Sequence, residues 1–309
     1  MRTPSTLFEG WPLAVVFRLS VAPSKLALVA EELTPSVFFG YPSRPAMLRE
    51  TLGVAARRIQ ETAGVDIVTW EDLAVGGKLI IGEITRTIDS AALSVFEVTD
   101  LNHNVMFELG YAIGAERRVW LLRDTTDELA ERRWKQVKML ATVGYEAYTN
   151  SDDIRVGFLR ERPYAGSDTI FESAIAPTLQ PALFTSLFYV TSPYNSEAER
   201  DLRRRVLQEQ RYGLAVTVDD ATESSVQPLT WYAREIYSAA AVVVHLTSPR
   251  RSGADIHNAR SALISGLAYG MRRPLLMVAQ DEYLAPIDYQ DLLYVYRTAR
   301  TASLMLTAG

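Results

Sequence analysis

The feature that most constrains this chain is a pattern that occurs twice. The segment GYAIGAERRVWLL in the first half matches GLAYGMRRPLLMV in the second half. Gly110 and Gly266 are 156 positions apart (266 − 110), and so are Gly114 and Gly270 (270 − 114). A repeat at constant offset indicates an internal duplication. We therefore expect two copies of one fold.

Apolar runs alternate with helical patterns through both copies. The predicted strands are 37–40, 65–69, 93–98 and 119–122 in the first copy, and 187–191, 214–218 and 242–246 in the second. Strands separated by helices favour a parallel sheet with helices on both faces. The sequence thus predicts an α/β protein made of two tandem flavodoxin-like domains, each a doubly wound parallel sheet.

The predicted boundaries follow from breaks in this alternation. Residues 1–35 precede it and form an N-terminal extension. The first domain is predicted over 36–166 and the second over 167–309. The stretch 150–166 is polar and contains Pro163 and Gly166, so we expect irregular structure there. A helix is expected next, over 168–176.

Composition restricts the kinds of function. The chain has 309 residues, 48% hydrophobic and 22% charged, which is typical of a soluble globular protein, and its net charge of −5 gives no reason to expect nucleic-acid binding. Cysteine is absent, so disulfides, thiolate metal sites and cysteine nucleophiles are excluded. The early apolar stretch 12–29 is interrupted by Arg18, Pro23 and Lys25, which argues against a signal peptide or a membrane span. We expect a cytoplasmic protein without a metal.

The segment DLNHNVMFELGYAIG, from Asp100 to Gly114, contains the helix that follows the third strand. One face of this helix is apolar, and Asn104, Glu108 and Tyr111 fall on another face that is expected to present polar groups. Asp100, Asn102 and Asn104 are all possible N-caps. Whichever of the three is the N-cap, Glu108 is expected near the carboxyl end of a parallel strand, where open α/β folds bind ligands.

The pattern D-L-N-x-N-V-x-F-E-L-G-Y-A in this segment resembles the TIR-like nucleotide-binding domains of bacterial defence proteins. It is equally similar to the nucleoside 2-deoxyribosyltransferase family. The resemblance covers roughly residues 37–122 and implies that Glu108 is the nucleophile that attacks the sugar C1′. Active TIR proteins likewise use a glutamate to cleave the bond between nicotinamide and ribose in NAD. The transferases also keep an acidic base-binding residue in the helix before the third strand, and Glu83 is the acidic residue near that place.

Other residues of the predicted crevice come from loops at the carboxyl ends of the strands. We expect them to bind the substrate, except for Asp100, which joins Glu108 as a catalytic candidate. Each also has a purely structural explanation, because glycine, proline and aspartate make turns and tryptophan packs. The predicted substrate-binding set is Gly40, Tyr41, Trp70, Asp72, Glu83, Asn102, Asn104 and Tyr111.

The chemistry that Glu108 can support depends on the leaving group. N-glycosidic cleavage develops an oxocarbenium-like charge at C1′ that a carboxylate can stabilise or attack. Nicotinamide leaves NAD as a neutral ring without a general acid, whereas a base leaving an ordinary nucleoside usually needs a proton, from His103, Asp100 or Asp72. This comparison of leaving groups favours NAD or a related nucleotide as the substrate. We expect no separate cofactor.

Three classes of function remain open. The chain is an enzyme that cleaves NAD or a nucleoside in antiphage defence, a module that senses a nucleotide without chemistry, or a scaffold subunit of a larger assembly. A homo-oligomer or a larger protein assembly is expected in each case. The position equivalent to Glu108 in the second copy is Ile264, so we expect that copy to be degenerate, catalytically silent and packed against the first domain or a neighbouring subunit.

Overall fold

The computed structural model describes residues 34–74, 76, 78–220, 226–280, 283 and 287–296. The predicted N-terminal extension therefore lies outside the described residues, apart from its last two. The first half forms one five-stranded, all-parallel sheet of order β2-β1-β3-β4-β5. Its elements are β1 Ser36–Gly40, α1 Ala46–Ala63, β2 Asp66–Thr69, α2 Ile80–Ser90, β3 Leu93–Glu97, α3 His103–Gly114, β4 Val119–Asp124, α4 Glu128–Val137, β5 Glu146–Tyr148 and α5 Ser151–Glu161.

The second half repeats this arrangement in a parallel sheet of order β10-β9-β8-β6-β7. Read from the other edge, this is the order of the first sheet, so the predicted fold class of two tandem flavodoxin-like sheets is confirmed. Its elements are β6 Ser186–Val190, α6 Glu197–Gln208, β7 Ala215–Asp219, α7 Leu229–Ser238, β8 Ala239–Leu246, α8 Ala254–Gly270, β9 Leu275–Gln280 and β10 Leu293–Tyr296.

Two expectations about local structure were wrong. The stretch predicted to be irregular contains α5, which begins at an Asn150 cap whose side chain accepts hydrogen bonds from the backbone N–H groups of Asp152 and Asp153. The helix expected over 168–176 is a short π-helical turn, Phe171–Ile175, followed by a 3-10 turn, Ala176–Thr178. Pro177 has no N–H to continue a regular helix, which accounts for the irregular form.

The prediction that α3 presents a polar face was also wrong. Every residue of α3 from Val105 to Gly114 is buried, because α8 of the second half packs along its other side. The two helices run parallel, since Gly110 lies beside Leu263 and Leu267, and Gly114 lies beside Leu267 and Met271. The expectation that the second copy packs against the first is therefore confirmed.

Four glycines allow this contact. A Cβ added to Gly110 would lie 2.1 Å from the carbonyl oxygen of Leu263, and one added to Gly266 would lie 1.9 Å from that of Phe107. The corresponding distances at Gly114 and Gly270 are 2.4 Å. No side chain fits at any of these positions, so the two backbones touch directly. Glycines four residues apart on one helix are known to permit such close approach.

We predict that Gly266→Ala lowers the free energy of unfolding by about 1–3 kcal/mol or more, because the new methyl group overpacks the helix contact. Gly53→Ala is the matched control, since Gly53 lies within α1 and a Cβ added there would have no other atom within 4 Å. That control should gain up to about 1 kcal/mol from the better helix propensity of alanine. Urea denaturation of both variants measures the difference, and equal behaviour would contradict the packing role.

Candidate functional site

Glu108 lies in the second turn of α3, with its carboxylate at the end of β1. A Cβ added to Gly40 would stand 2.6 Å from Glu108 Oε2 and 2.8 Å from the ring of Phe96. Gly40 ends β1, which has β2 on one side and β3 on the other. This is the point where the strand order reverses and where open α/β sheets bind ligands. Gly40 thus leaves room for the carboxylate at that point.

The start of α3 is capped by a side chain. Asn102 is the N-cap, and its Oδ1 accepts hydrogen bonds from the backbone N–H groups of Asn104 at 3.0 Å and Val105 at 3.4 Å. The partial positive charge of a helix start favours a nearby carboxylate. Of the three predicted N-caps, the sequence alone did not distinguish Asn102.

The surroundings of Glu108 are closed. Its side chain is only 4% exposed. The space beside it is lined by α2 and by two aromatic residues of α3, and it is too small to hold a water molecule. The lining residues other than Glu108 are Ile81, Ile84, Thr85, Ile88, Phe107 and Tyr111. Helix α2 and these aromatic side chains therefore close this side of the carboxylate.

Asp100, Asn102 and Asn104 meet in a different place, a pocket of about 240 Å³ between the amino ends of α3 and α8. Asp100 Oδ1 is 3.4 Å from a guanidinium nitrogen of Arg133. Asn104 Oδ1 is buried and has no hydrogen-bond partner among the described residues. His103 Nε2 lies 3.3 Å from the carbonyl oxygen of Asp255, and burial lowers the pKa of the imidazole.

Tyr41, Trp70 and Asp72 form a third group beside β2. The hydroxyl of Tyr41 donates to Glu71 Oε1 at 3.1 Å, and its ring meets that of Trp70 edge to face. Burial raises the pKa of Tyr41 to about 12. Asp72 accepts hydrogen bonds from the N–H and hydroxyl of Thr69, at 2.9 and 2.7 Å. These contacts brace a turn, and the Asp72 carboxylate is committed to the Thr69 cap.

Glu83 and Tyr111 are engaged elsewhere. Glu83 accepts from Lys78 at 3.1 Å and pairs with Arg86, and the bond from Lys78 lowers the pKa of its carboxyl group. Tyr111 donates to Asp89 Oδ2 at 2.9 Å. The predicted site residues thus occupy separate places around Glu108 and do not line one pocket in this conformation.

Sequence reasoning missed a second buried carboxyl group, Glu97 at the end of β3. It is 1% exposed, and its Oε1 accepts from the Thr99 N–H at 3.1 Å, from the Thr99 hydroxyl and from the Tyr148 hydroxyl at 3.2 Å. Its Oε2 is buried without a hydrogen-bond partner in the part of the chain that the structure describes. Burial raises the pKa of Glu97 to about 7. The available signal was a lone acidic residue in the apolar run LSVFEV.

Glu97 does not assist Glu108, because the sheet separates them. Side chains alternate along a strand, so Glu97 faces α1 with Val95, while Phe96 faces the side of Glu108. Strand pairing identifies the equivalent position in the second sheet. Val242 pairs with Phe188 as Ser94 pairs with Phe38. His245 follows Val242 by three residues, as Glu97 follows Ser94, so His245 corresponds to Glu97. His245 Nε2 is 2.6 Å from the Tyr296 hydroxyl, and burial lowers its pKa to about 3.

At the position equivalent to Glu108, the second copy has an apolar side chain in its interior. Ile264 is fully buried, which agrees with the structural role predicted for it. Arg260, the counterpart of Asn104, lies 3.2 Å from Asp219 Oδ2 and donates to the Tyr232 hydroxyl at 2.8 Å. Across the described ranges, no three histidine, aspartate or glutamate side chains are grouped so that they could hold a metal ion. No helix in the described part of the chain is long and apolar enough to cross a membrane.

The titration of Glu97 predicts a pH-dependent stability. Its pKa is higher in the folded chain, about 7, than the ordinary value of 4.5, so its contribution is fully present below pH 4.5 and is lost as the pH rises to about 7. We predict that the unfolding free energy of the wild type falls relative to that of Glu97→Gln over this range, by up to about 3 kcal/mol. Urea titrations at several pH values test this. Glu61→Gln, at an exposed position, is the control and should show the same dependence of unfolding free energy on pH as the wild type. Parallel profiles for Glu97→Gln and the wild type would refute the prediction.

No protein-family profile matches the chain, and no curated protein is significantly similar to it. The resemblance of the FELGYA segment to TIR-like and deoxyribosyltransferase-like domains therefore rests on its own residues and stays a prediction.

Proposed function

We propose that this protein cleaves the N-glycosidic bond of NAD or a related nucleotide or nucleoside, with Glu108 as the carboxylate that acts at C1′. The observation that carries the proposal is the position of Glu108 Oε2, beside Gly40 at the point where the strand order reverses. Ligands bind at that point in open α/β sheets, and a carboxylate is the group that an oxocarbenium-like centre requires.

The reaction breaks the bond between C1′ and the base nitrogen. Its electron pair leaves with the base, and Glu108 either bonds to C1′ or stabilises the positive charge there. Water or another acceptor then bonds to C1′ and releases a proton, and where Glu108 had bonded to C1′ that bond breaks and the carboxylate is regenerated. With a pyridinium base such as nicotinamide, the leaving group is neutral and needs no proton.

The surroundings favour such a pyridinium nucleotide. The three acids considered from the sequence have other partners: Asp72 accepts from Thr69, Asp100 pairs with Arg133, and His103 Nε2 lies 3.3 Å from the carbonyl oxygen of Asp255, where burial lowers the pKa of the imidazole. None of them stands ready to protonate a leaving purine or pyrimidine. A substrate whose base departs without a proton is therefore the better match.

The closed space beside Glu108 implies control of the reaction. Ile81, Ile84 and Ile88 of α2 cover the carboxylate, so α2 must shift before a ribose can enter. We infer that a partner or a signal drives this shift, as expected of a cytoplasmic antiphage defence protein that works as a homo-oligomer or within a larger assembly. Basal activity of the isolated chain is then low, and activity rises when α2 is displaced.

We predict that Glu108→Gln lowers release of nicotinamide from NAD, or of the base from the best substrate in a nucleoside panel, by at least about 100-fold. The amide keeps the shape and removes the charge. Glu97→Gln is the matched control, because it neutralises another buried carboxyl group on the opposite side of the sheet, and its activity should stay near that of the wild type. The assay is chromatography of released base. Activity of Glu108→Gln within a few-fold of the wild type, or a wild type inactive on the whole panel, would count against the proposal.

A second candidate is nucleotide binding without chemistry. It is favoured by the pocket of about 240 Å³ at the paired helix starts, where Asn104 Oδ1 has no partner among the described residues. Helix starts attract the phosphate groups of nucleotides, and Asn104 Oδ1, which can only accept, would take a hydrogen bond from a ribose hydroxyl or a base N–H. In the third class, a scaffold, the glycine contact between α3 and α8 would be the main role of the chain.

Equilibrium dialysis with radiolabelled NAD separates these alternatives. If the chain is a sensor, Asn104→Leu should weaken binding by about tenfold, the loss expected for one hydrogen bond to a charged ligand, while Glu108→Gln should bind like the wild type. An enzyme loses turnover in Glu108→Gln, and a scaffold binds no nucleotide in any form.

A further inference from the structure

A large cavity lies away from Glu108, at the carboxyl ends of α3 and α8. It measures about 860 Å³, within the size range of sites for small molecules. Both halves of the chain line it. Four of its lining residues are aromatic, namely Tyr111, Phe171, Tyr237 and Tyr269, and three are arginines, namely Arg117, Arg272 and Arg273.

Two of these arginines are equivalent by the internal repeat, but their partners differ. Arg117 is paired with Asp89, with 3.3 Å between Nε and Oδ1. The residue equivalent to Asp89 is Tyr237, since each follows the buried isoleucine near the end of α2 or α7. Arg273 therefore meets a ring where Arg117 meets a carboxylate. Its guanidinium carbon lies 5.5 Å from the centre of the Tyr237 ring and 4.5 Å from that of Phe184.

Arg273 is a cation with unused hydrogen-bonding capacity. Its Nε is buried and has no hydrogen-bond partner within the described ranges. Burial lowers the pKa of the guanidinium, which reflects the loss of water around a charge. A planar guanidinium held by aromatic rings is suited to bind phosphate or carboxylate with two parallel hydrogen bonds.

We propose that this cavity binds a nucleoside 5′-monophosphate, with the phosphate on Arg273 and the base stacked among the tyrosine rings. The arginine provides charge and the rings provide planar apolar surface, and a nucleotide is a ligand that uses both. The carboxyl ends of two helices carry partial negative charge, which opposes an anion. That effect is confined to the last turn and is screened by solvent. Arg272 and Arg273 follow the last turn of α8 and offset it.

This site is independent of the reaction proposed for Glu108. Thr85 and Tyr111 stand between the cavity and the closed space beside Glu108, because both residues line both spaces. A ligand in the cavity thus contacts α2 and α3 without touching the Glu108 carboxylate. Its binding can be measured whether or not the chain is an enzyme.

The test is isothermal titration calorimetry of the full chain with AMP and with adenosine. We expect AMP to bind at least about tenfold more tightly than adenosine, because only AMP places a charged group on the guanidinium. Arg273→Gln should weaken AMP binding by at least about tenfold and leave adenosine nearly unchanged. Arg57→Gln, which removes an exposed charge of α1, is the matched control and should bind AMP like the wild type. Glu108→Gln should also bind AMP like the wild type.

Several outcomes would overturn the proposal. They are equal affinities of the wild type for AMP and adenosine, no saturable binding of AMP, or an unchanged AMP affinity in Arg273→Gln. The comparison of AMP with adenosine uses only the wild type, so the proposal stays testable if a variant folds poorly.

Discussion

Direct contact between the backbones of α3 and α8 is the interaction on which the rest of the structure depends. It requires four positions without a side chain, and it brings the inner faces of both sheets into one continuous apolar core that includes Phe96 of β3 and Val244 of β8. Neither half buries this face alone. Separating the halves would expose the side of α3 that now contacts α8, so the two sheets are expected to fold as one thermodynamic unit.

The two copies differ most where their sheets end. The first keeps acidic groups there, Glu97 on one side of the sheet and Glu108 on the other, and the second has His245 and Ile264 at the same positions. In the second copy, Arg260 and Asp219 neutralise each other next to Ile264. The first copy keeps a buried carboxyl group, Glu108, at the carboxyl end of its sheet, and the second has an apolar side chain at that position.

Much of the fold followed from the sequence, because parallel strands covered on both faces leave continuous apolar runs. The burial of all five residues of β3 is an example. The partner of α3 was harder to predict. Asn104, Glu108 and Tyr111 have the spacing of an exposed face, and periodicity within one helix cannot show that a second helix covers it.

The candidate site was predicted less well for the same reason. Glu108 lies at the expected end of the sheet, but the groups expected around it are held by local partners such as Thr69 for Asp72 and Asp89 for Tyr111. Those bonds depend on side-chain directions that spacing does not give. Glu97 was hidden in an apolar run, where its burial and its hydrogen bond from distant Tyr148 are set by tertiary structure.

The glycine contact also decides which parts of the site can move. A helix whose backbone touches another along two turns cannot slide or rotate without collisions between carbonyl groups. Helix α3 therefore holds Glu108 at a fixed position relative to the sheet. Helix α2 contacts α3 through side chains, among them Ile81, Ile84 and the hydrogen bond between Asp89 and Tyr111, and not through its backbone. Any opening of this end of the molecule is therefore expected to come from movement of α2, while the Glu108 carboxylate stays in place.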